Sequence, residues 1–148
     1  MKELHGTAEA EVSAPIEECL ALLAAVERYP RWYPQVVRSA AVLETGPDGH
    51  ATRAEASLHV VHGPLVKDFE LLLAVRVERP ATVQLTRIPH GAPDEERFQV
   101  RWQLSRAAGT LLHLDLEATL AVPRFVPLGG IGNAIATGFV EAARDALR

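Results

Sequence analysis

From Leu4 to Val12 the chain alternates. Leu4, Gly6, Ala8, Ala10 and Val12 fall on one side, with His5, Thr7, Glu9 and Glu11 on the other. That period of two predicts a half-buried strand over 4–12. The period then changes. Ile16, Cys19, Leu20 and Leu23 recur at helical spacing, so a short helix that buries one stripe follows. Ser13-Ala14-Pro15 starts it: a proline in the first turn lacks only an N–H that would be unbonded there, and Glu17 and Glu18 complement the positive end of the helix dipole. Pro30 and Pro34 interrupt the helical path and leave at most a short second turn over 26–31.

From Gln35 to Ala121 the pattern is that of one strand after another. Strands are predicted over 36–44, 51–62, 66–77, 82–88, 96–106 and 110–121. They are separated by Gly46-Pro47-Asp48-Gly49, Gly63-Pro64, Pro80, the loop from Pro89 to Pro93, and Ala108-Gly109. The cleanest alternation sets Phe98, Val100, Trp102 and Leu104 on one face, and Leu112, Leu114, Leu116, Ala118 and Leu120 on one face of the last strand. Turn signals at this spacing predict an antiparallel meander. Beyond Ala121 a Pro- and Gly-rich loop spans 122–133, and a long helix is predicted over 131–147. Its inner face is expected to carry Ile131, Ile135, Gly138, Phe139, Ala142 and Ala146. Small residues on such a stripe either let the sheet approach closely or leave a hollow.

Size and charge narrow the function classes. A chain of 148 residues buries about 70% of its unfolded surface as a single domain, 1–148, enough for a core with a cavity. The net charge of −4 gives no basic field for nucleic acid or anionic lipid. Cys19 is the only cysteine, so neither an intrachain disulfide nor a cysteine-based zinc cluster can form. The first residues, Met1-Lys2-Glu3-Leu4-His5, lack the apolar run of a signal peptide, and no apolar run approaches a membrane span. The expectation is a cytoplasmic protein.

Val12-Ser13-Ala14-Pro15-Ile16-Glu17-Glu18, the corner Tyr29-Pro30-Arg31-Trp32-Tyr33-Pro34, the strand run and a terminal helix containing Gly138-Phe139 together resemble the START-like helix-grip superfamily. The likeness is to its bacterial polyketide cyclase/dehydrase and lipid-transport branch and covers essentially the whole chain. It departs at Cys19-Leu20, where relatives often carry a bulky aromatic. The resemblance implies an α+β helix-grip fold. A curved antiparallel sheet of about seven strands would wrap a long C-terminal helix, with one or two short helices after the first strand. It also implies an apolar cavity between sheet and helix, in a family whose members bind lipids, hormones, quinone-like molecules or polyketides and in some cases cyclise or dehydrate them. Fold alone does not settle which.

Strand parity adds Phe69, Leu71 and Leu73, then Val83, Leu85 and Arg87, to the concave face. Arg87 at the mouth of an apolar cavity could orient a carboxylate or carbonyl; the alternative is that it snorkels to water or pairs with a carboxylate. Lys67 shares parity with Phe69, but a strand-end position predicts exposure. His59 and His62 point to opposite faces and cannot share a metal without a bulge. His113, Asp115 and Glu117 share a face opposite the leucine row, which predicts a solvated outer surface rather than a metal site. Asp94-Glu95-Glu96 reads as a solvated turn. Gly129-Gly130-Ile131-Gly132-Asn133 fits neither phosphate-binding glycine pattern and reads as a helix start. Phe125, Val126, Leu128 and Ile131 around it could form a lid over the cavity or a membrane-touching patch, or pack against the sheet edge. Cys19 is expected to be an inert buried residue, and the Tyr29–Tyr33 corner is expected to pack rather than catalyse.

The predicted function is binding of a small hydrophobic ligand, a lipid, quinone or polyketide-like molecule, with no cofactor and no metal. The expected contact set is Trp32, Phe69, Leu71, Arg87, Phe98, Trp102, Leu114, Phe125, Ile135 and Phe139. The alternative is a cofactor-independent polyketide cyclase/aromatase or dehydratase, with Arg87 orienting the substrate and a Tyr or His moving protons. A third reading has the 122–133 loop touch a membrane or a protein partner transiently. Neither nucleic acid nor a transmembrane segment enters any of them. Either a monomer or a homodimer is compatible with all three.

Overall fold

A computed structural model describes residues 2–63, 65–78, 81–89, 96–121 and 129–148. Phe125, Val126, Leu128 and the acidic pair Asp94-Glu95 lie outside the described residues. In chain order the elements are β1 (Lys2–Val12), α1 (Ile16–Ala24), a 3-10 turn (Val26–Arg28), α2 (Tyr29–Trp32), β2 (Val37–Thr45), β3 (Ala51–His62), β4 (Leu65–Glu78), β5 (Thr82–Arg87), β6 (Arg97–Arg106), β7 (Thr110–Leu120) and α3 (Ile131–Ala146). The strands form one antiparallel sheet in the order β1-β7-β6-β5-β4-β3-β2. It is a helix-grip α+β architecture, and the strand ends fall within two residues of where alternation places them.

Register carries the inward rows across the sheet. Leu58 lies opposite Phe69, Ala56 opposite Leu71, Leu85 between Val75 and Val100, Trp102 between Val83 and Leu114, and Phe98 opposite Ala118. Residues directly opposed in an antiparallel pair share a face, so these rows make one continuous apolar surface. Nearly all of it is buried, and each large aliphatic side chain fully removed from water contributes about 1.5–3 kcal/mol.

Helix α1 fills one end of this surface, packing Ile16, Cys19, Leu20, Leu23 and Ala24 toward β5 and β6. Cys19 is fully buried on that stripe. The wholly buried Thr110 at the start of β7 donates its hydroxyl to the Ala14 carbonyl at 2.8 Å, tying the sheet to the helix entry. Tyr29 closes the corner. Its ring is buried against Trp32 with centroids 4.6 Å apart, and its hydroxyl donates to the Leu23 carbonyl at 2.6 Å. Burial pushes the Tyr29 phenol well above the usual tyrosine range, and the nearby Trp102 indole only partly offsets this.

Helix α3 buries a different stripe from the one predicted. Ile131, Gly132, Ala136, Phe139, Val140 and Ala143 are buried, whereas Ile135, Gly138 and Ala142 are only half-buried and Ala146 is exposed. The cause is the first turn of the helix. A Cβ at Gly132 would overlap the carbonyl of His5, and a Cβ at Gly6 would overlap the carbonyl of Gly132, so here helix backbone rests directly on strand backbone. Gly130 turns the chain into this contact at φ 81°. Asn133 Oδ1 then accepts a hydrogen bond from the Thr7 N–H at 3.0 Å, which satisfies a donor on an edge strand. Anchored there, the helix lies on β1 and β7 with the Ala136 side rotated inward. Gly138 is small for a second close approach, because the Tyr33 hydroxyl occupies the place of its missing side chain.

Gly132→Ala is expected to lower the free energy of unfolding by about 3 kcal/mol or more, measured by urea denaturation. A loss below about 1 kcal/mol would mean that helix and strand do not touch this closely. A second expectation concerns alkaline stability. Because Tyr29 ionises at higher pH when folded, its contribution is complete below the unfolded tyrosine pKa of about 10 and declines as pH rises toward the folded value. Unfolding free energies measured across this range should fall more steeply in the wild type than in Tyr29→Phe; parallel curves would refute the assignment.

Candidate functional site

Where α3 faces the sheet across from β1, side chains leave two small apolar hollows. The larger, about 30 Å³, is bounded by Leu58, Val60, Leu65 and Phe69 of β3 and β4, by Phe98, Leu116, Ala118 and Leu120 of β6 and β7, and by Leu4, Val36, Ile131, Ile135 and Phe139. The smaller, about 20 Å³, lies among Val26, Tyr29, Val37, Ala56, Leu71, Leu73, Leu85 and Val100. Leu58, Phe98 and Phe139 belong to both. These three side chains are the partition between the hollows.

The predicted contact set separates along this geometry. Phe69, Phe98, Ile135 and Phe139 wall the larger hollow, and Leu71 joins Phe98 and Phe139 in the smaller. Trp102 and Leu114 are fully buried at the α1 end of the core and line neither. Trp32 stacks on Tyr33, centroids 6.3 Å apart, in the corner. Phe125 lies outside the described residues. Wall positions absent from that set include Leu4, Val36, Leu58, Val60 and Leu65. Parity along β3 offered a signal for Leu58 and Val60, since both share a face with Ala56, which lies opposite Leu71.

Polar groups collect at the rim. Strand β5 pairs with β4 from Leu73 to Glu78, and the Ile88 N–H adds a bond to the Leu72 carbonyl at 2.7 Å; among the described residues, the first part of β4 has no strand partner on that side. Two cations lie here. Arg87 Nη1 donates to the Glu96 carbonyl at 2.8 Å. It lines a separate, mixed hollow of about 410 Å³ with Glu3, His5, Arg97 and Glu117 rather than the apolar ones. Lys67 departs from the exposure predicted for it, with only 27% of its side chain exposed. Its ammonium donates to the Ala121 carbonyl at 3.0 Å, sits 3.5 Å from Glu96 Oε1, and lies 5.0 Å from the centre of the Phe69 ring.

Among the described residues, acid–base candidates do not converge on the two apolar hollows. The Tyr33 ring packs edge-on to Phe139 at 4.7 Å; burial and the Glu141 carboxylate raise its pKa, so the phenol stays protonated at neutral pH. His59 pairs with Asp68 on the outer face. His113 has its two ring nitrogens 3.2 Å from Glu9 and 3.1 Å from Asp115. That face is less open than its alternation predicts, since the His113 side chain is 27% exposed. Among the described residues no three or more His, Cys, Asp or Glu side chains are placed to hold a metal ion, and no helix is long and apolar enough to cross a membrane.

Solved structures share this arrangement along nearly the full chain. A START superfamily protein from Mycobacterium smegmatis aligns with a TM-score of 0.70 at 19% identity, covering 98% of this chain and 96% of that one. A conserved protein from Geobacillus kaustophilus aligns with a TM-score of 0.70 at 14% identity, covering 97% and 95%. The di-domain ARO/CYC BexL from the BE-7585A biosynthetic pathway aligns with a TM-score of 0.65 at 10% identity, over 99% of this chain and 50% of that one. At these identities the likeness is one of fold. No curated protein matches the chain by sequence. The model of the family described as polyketide cyclase / dehydrase and lipid transport matches residues 12–148, nearly the whole molecule from the end of β1 through α3. The chain is therefore a member of the polyketide cyclase/dehydrase and lipid transport family.

Proposed function

We propose that this protein binds a small, predominantly apolar molecule between the concave face of the sheet and α3, acting as a carrier or sensor rather than as a catalyst. The observation that carries the reading is the composition of the walls. Every described residue around both hollows is apolar except Tyr29, whose hydroxyl is already bonded to the Leu23 carbonyl. A surface of this kind favours transfer of a hydrocarbon from water and offers nothing to polarise a carbonyl or move a proton.

The hollows are much smaller than the roughly 300–1,000 Å³ of a ligand pocket, so binding requires the partition to move. Phe98 is half-buried, and swinging it and Phe139 aside joins the two spaces into one slot along α3. The driving force is burial of hydrocarbon, about 0.8 kcal/mol per methylene, set against the off-rotamer side chains and backbone shifts that widening a packed core requires.

The cyclase or dehydratase alternative draws on the family and on the fold shared with BexL, described as an ARO/CYC. It needs a group that exchanges protons near neutral pH, and the only titratable side chain on the described walls of either apolar hollow is Tyr29, whose hydroxyl is engaged by the Leu23 carbonyl. The carrier reading is preferred on that ground.

Titration with the neutral fluorophore N-phenyl-1-naphthylamine, competed by fatty acids, quinones and aromatic polyketides, should reveal saturable binding. Ile135→Trp fills the larger hollow from the half-buried face of α3 and should weaken binding by about tenfold or more, whereas Val61→Ser on the exposed end of β3 should leave it unchanged. Absence of binding across the panel, or indifference to Ile135→Trp in a folded variant, would reject this site. Turnover of a polyketide chain that is lost in Tyr33→Phe would reverse the choice between carrier and enzyme.

A further inference from the structure

We propose that the preferred ligand is an apolar molecule ending in a carboxylate, and that Lys67 selects it. This rests on the binding reading above and adds the chemistry of the ligand's polar end. The position of the ammonium carries the inference. Lys67 lies two residues along β4 from both Leu65 and Phe69, which wall the larger hollow, and successive same-face residues sit about 7 Å apart. Its other neighbours are Ala121, which follows the wall residue Leu120, and Glu96, which precedes the wall residue Phe98 by two. The cation is therefore enclosed by the rim of the hollow on the β4, β6 and β7 sides and lies over the face of one wall ring, Phe69.

The contacts that hold it there suit exchange. The Ala121 carbonyl takes one of its protons at 3.0 Å, while the approach to Glu96 Oε1 at 3.5 Å is an ion pair without a short hydrogen bond. An ammonium has three protons to give. A carboxylate arriving at the top of the hollow can take the direction now facing Glu96 as the Glu96 side chain turns away from it, while the Ala121 bond stays in place. Partial burial at the rim makes such a charge-assisted bond worth more than one in open water. An alcohol or ester of the same chain length gains the same hydrocarbon burial and lacks the charge. Arg87 is a poorer candidate for this role, since its guanidinium already donates to the Glu96 carbonyl and lines the mixed hollow.

The test is competition against bound N-phenyl-1-naphthylamine by laurate, dodecanol and methyl laurate. In the wild type laurate should compete about tenfold better than dodecanol, the equivalent of one charge-assisted hydrogen bond. Lys67→Met should bring laurate down to the level of dodecanol while leaving dodecanol within about twofold of its wild-type value. Lys67→Arg should keep the preference, and thermal melts of both variants establish that they fold. Equal competition by laurate and dodecanol in the wild type overturns the proposal while leaving the binding site intact. Equal weakening of both in Lys67→Met also overturns it, since that is the mark of a strap holding β4 to the end of β7. Failure of the naphthylamine and all three competitors to bind overturns the binding reading itself, and this inference with it.

Discussion

The placement of α3 against β1 is the constraint on which the rest of the molecule depends, and it is made by backbone rather than side chains. Gly132 and the neighbouring Gly6 and His5 meet at a distance that no Cβ permits. A helix held that close to β1 at its first turn makes its close backbone contacts with β1 and β7 rather than with β3 and β4. The space on the far side is left to side chains, and Ile135 and Phe139 of the helix meet Val60, Leu65 and Phe69 across it. The hollow is a consequence of a close contact elsewhere. The small residues of α3 serve contact too: Gly132 admits a carbonyl and Gly138 admits the tip of Tyr33.

A second constraint comes from unequal strand lengths. β4 runs from Leu65 to Glu78 while β5 covers only Thr82 to Arg87. Beside the short β5, long side chains bring the neighbouring strands together: Lys67 from β4 and Arg87 from β5 meet at Glu96, just before β6. Polar groups thus gather at one end of the apolar core. The opposite end, under α1, is closed by Trp102, Leu112 and Leu114, all fully buried, and the buried Thr110–Ala14 bond holds that end together.

Much of the fold was legible in the chain because its patterns are local. A period of two survives across 4–12 and 110–121, Pro30 and Pro34 stop the helix, and both strand ends at 51–62 follow from the flanking turns. Register preserves parity, so the inward rows through Phe69, Leu71, Phe98 and Val100 could be assigned strand by strand. Position along those rows is a different matter. Trp102 and Phe98 share a face of one strand, yet α1 closes over the first and α3 leaves a hollow by the second. Parity identifies a side chain's face and is silent about which helix lies above it.

The sequence by itself determined the element order, the antiparallel meander, the burial of one face and the absence of any motif for nucleotide or cysteine-based metal chemistry. Each of these rests on residues close together in the chain. Tertiary structure alone decided the rotation of α3, the partition formed by Leu58, Phe98 and Phe139, and the standing of the two inward-parity cations, Lys67 at the rim of the apolar hollow and Arg87 beside a mixed one. These rest on contacts between residues far apart in sequence, such as Gly6 with Gly132 and Lys67 with Ala121. A glycine's lack of a side chain has no periodicity to read. Its meaning appears only when the backbone that fills the vacant volume is in place.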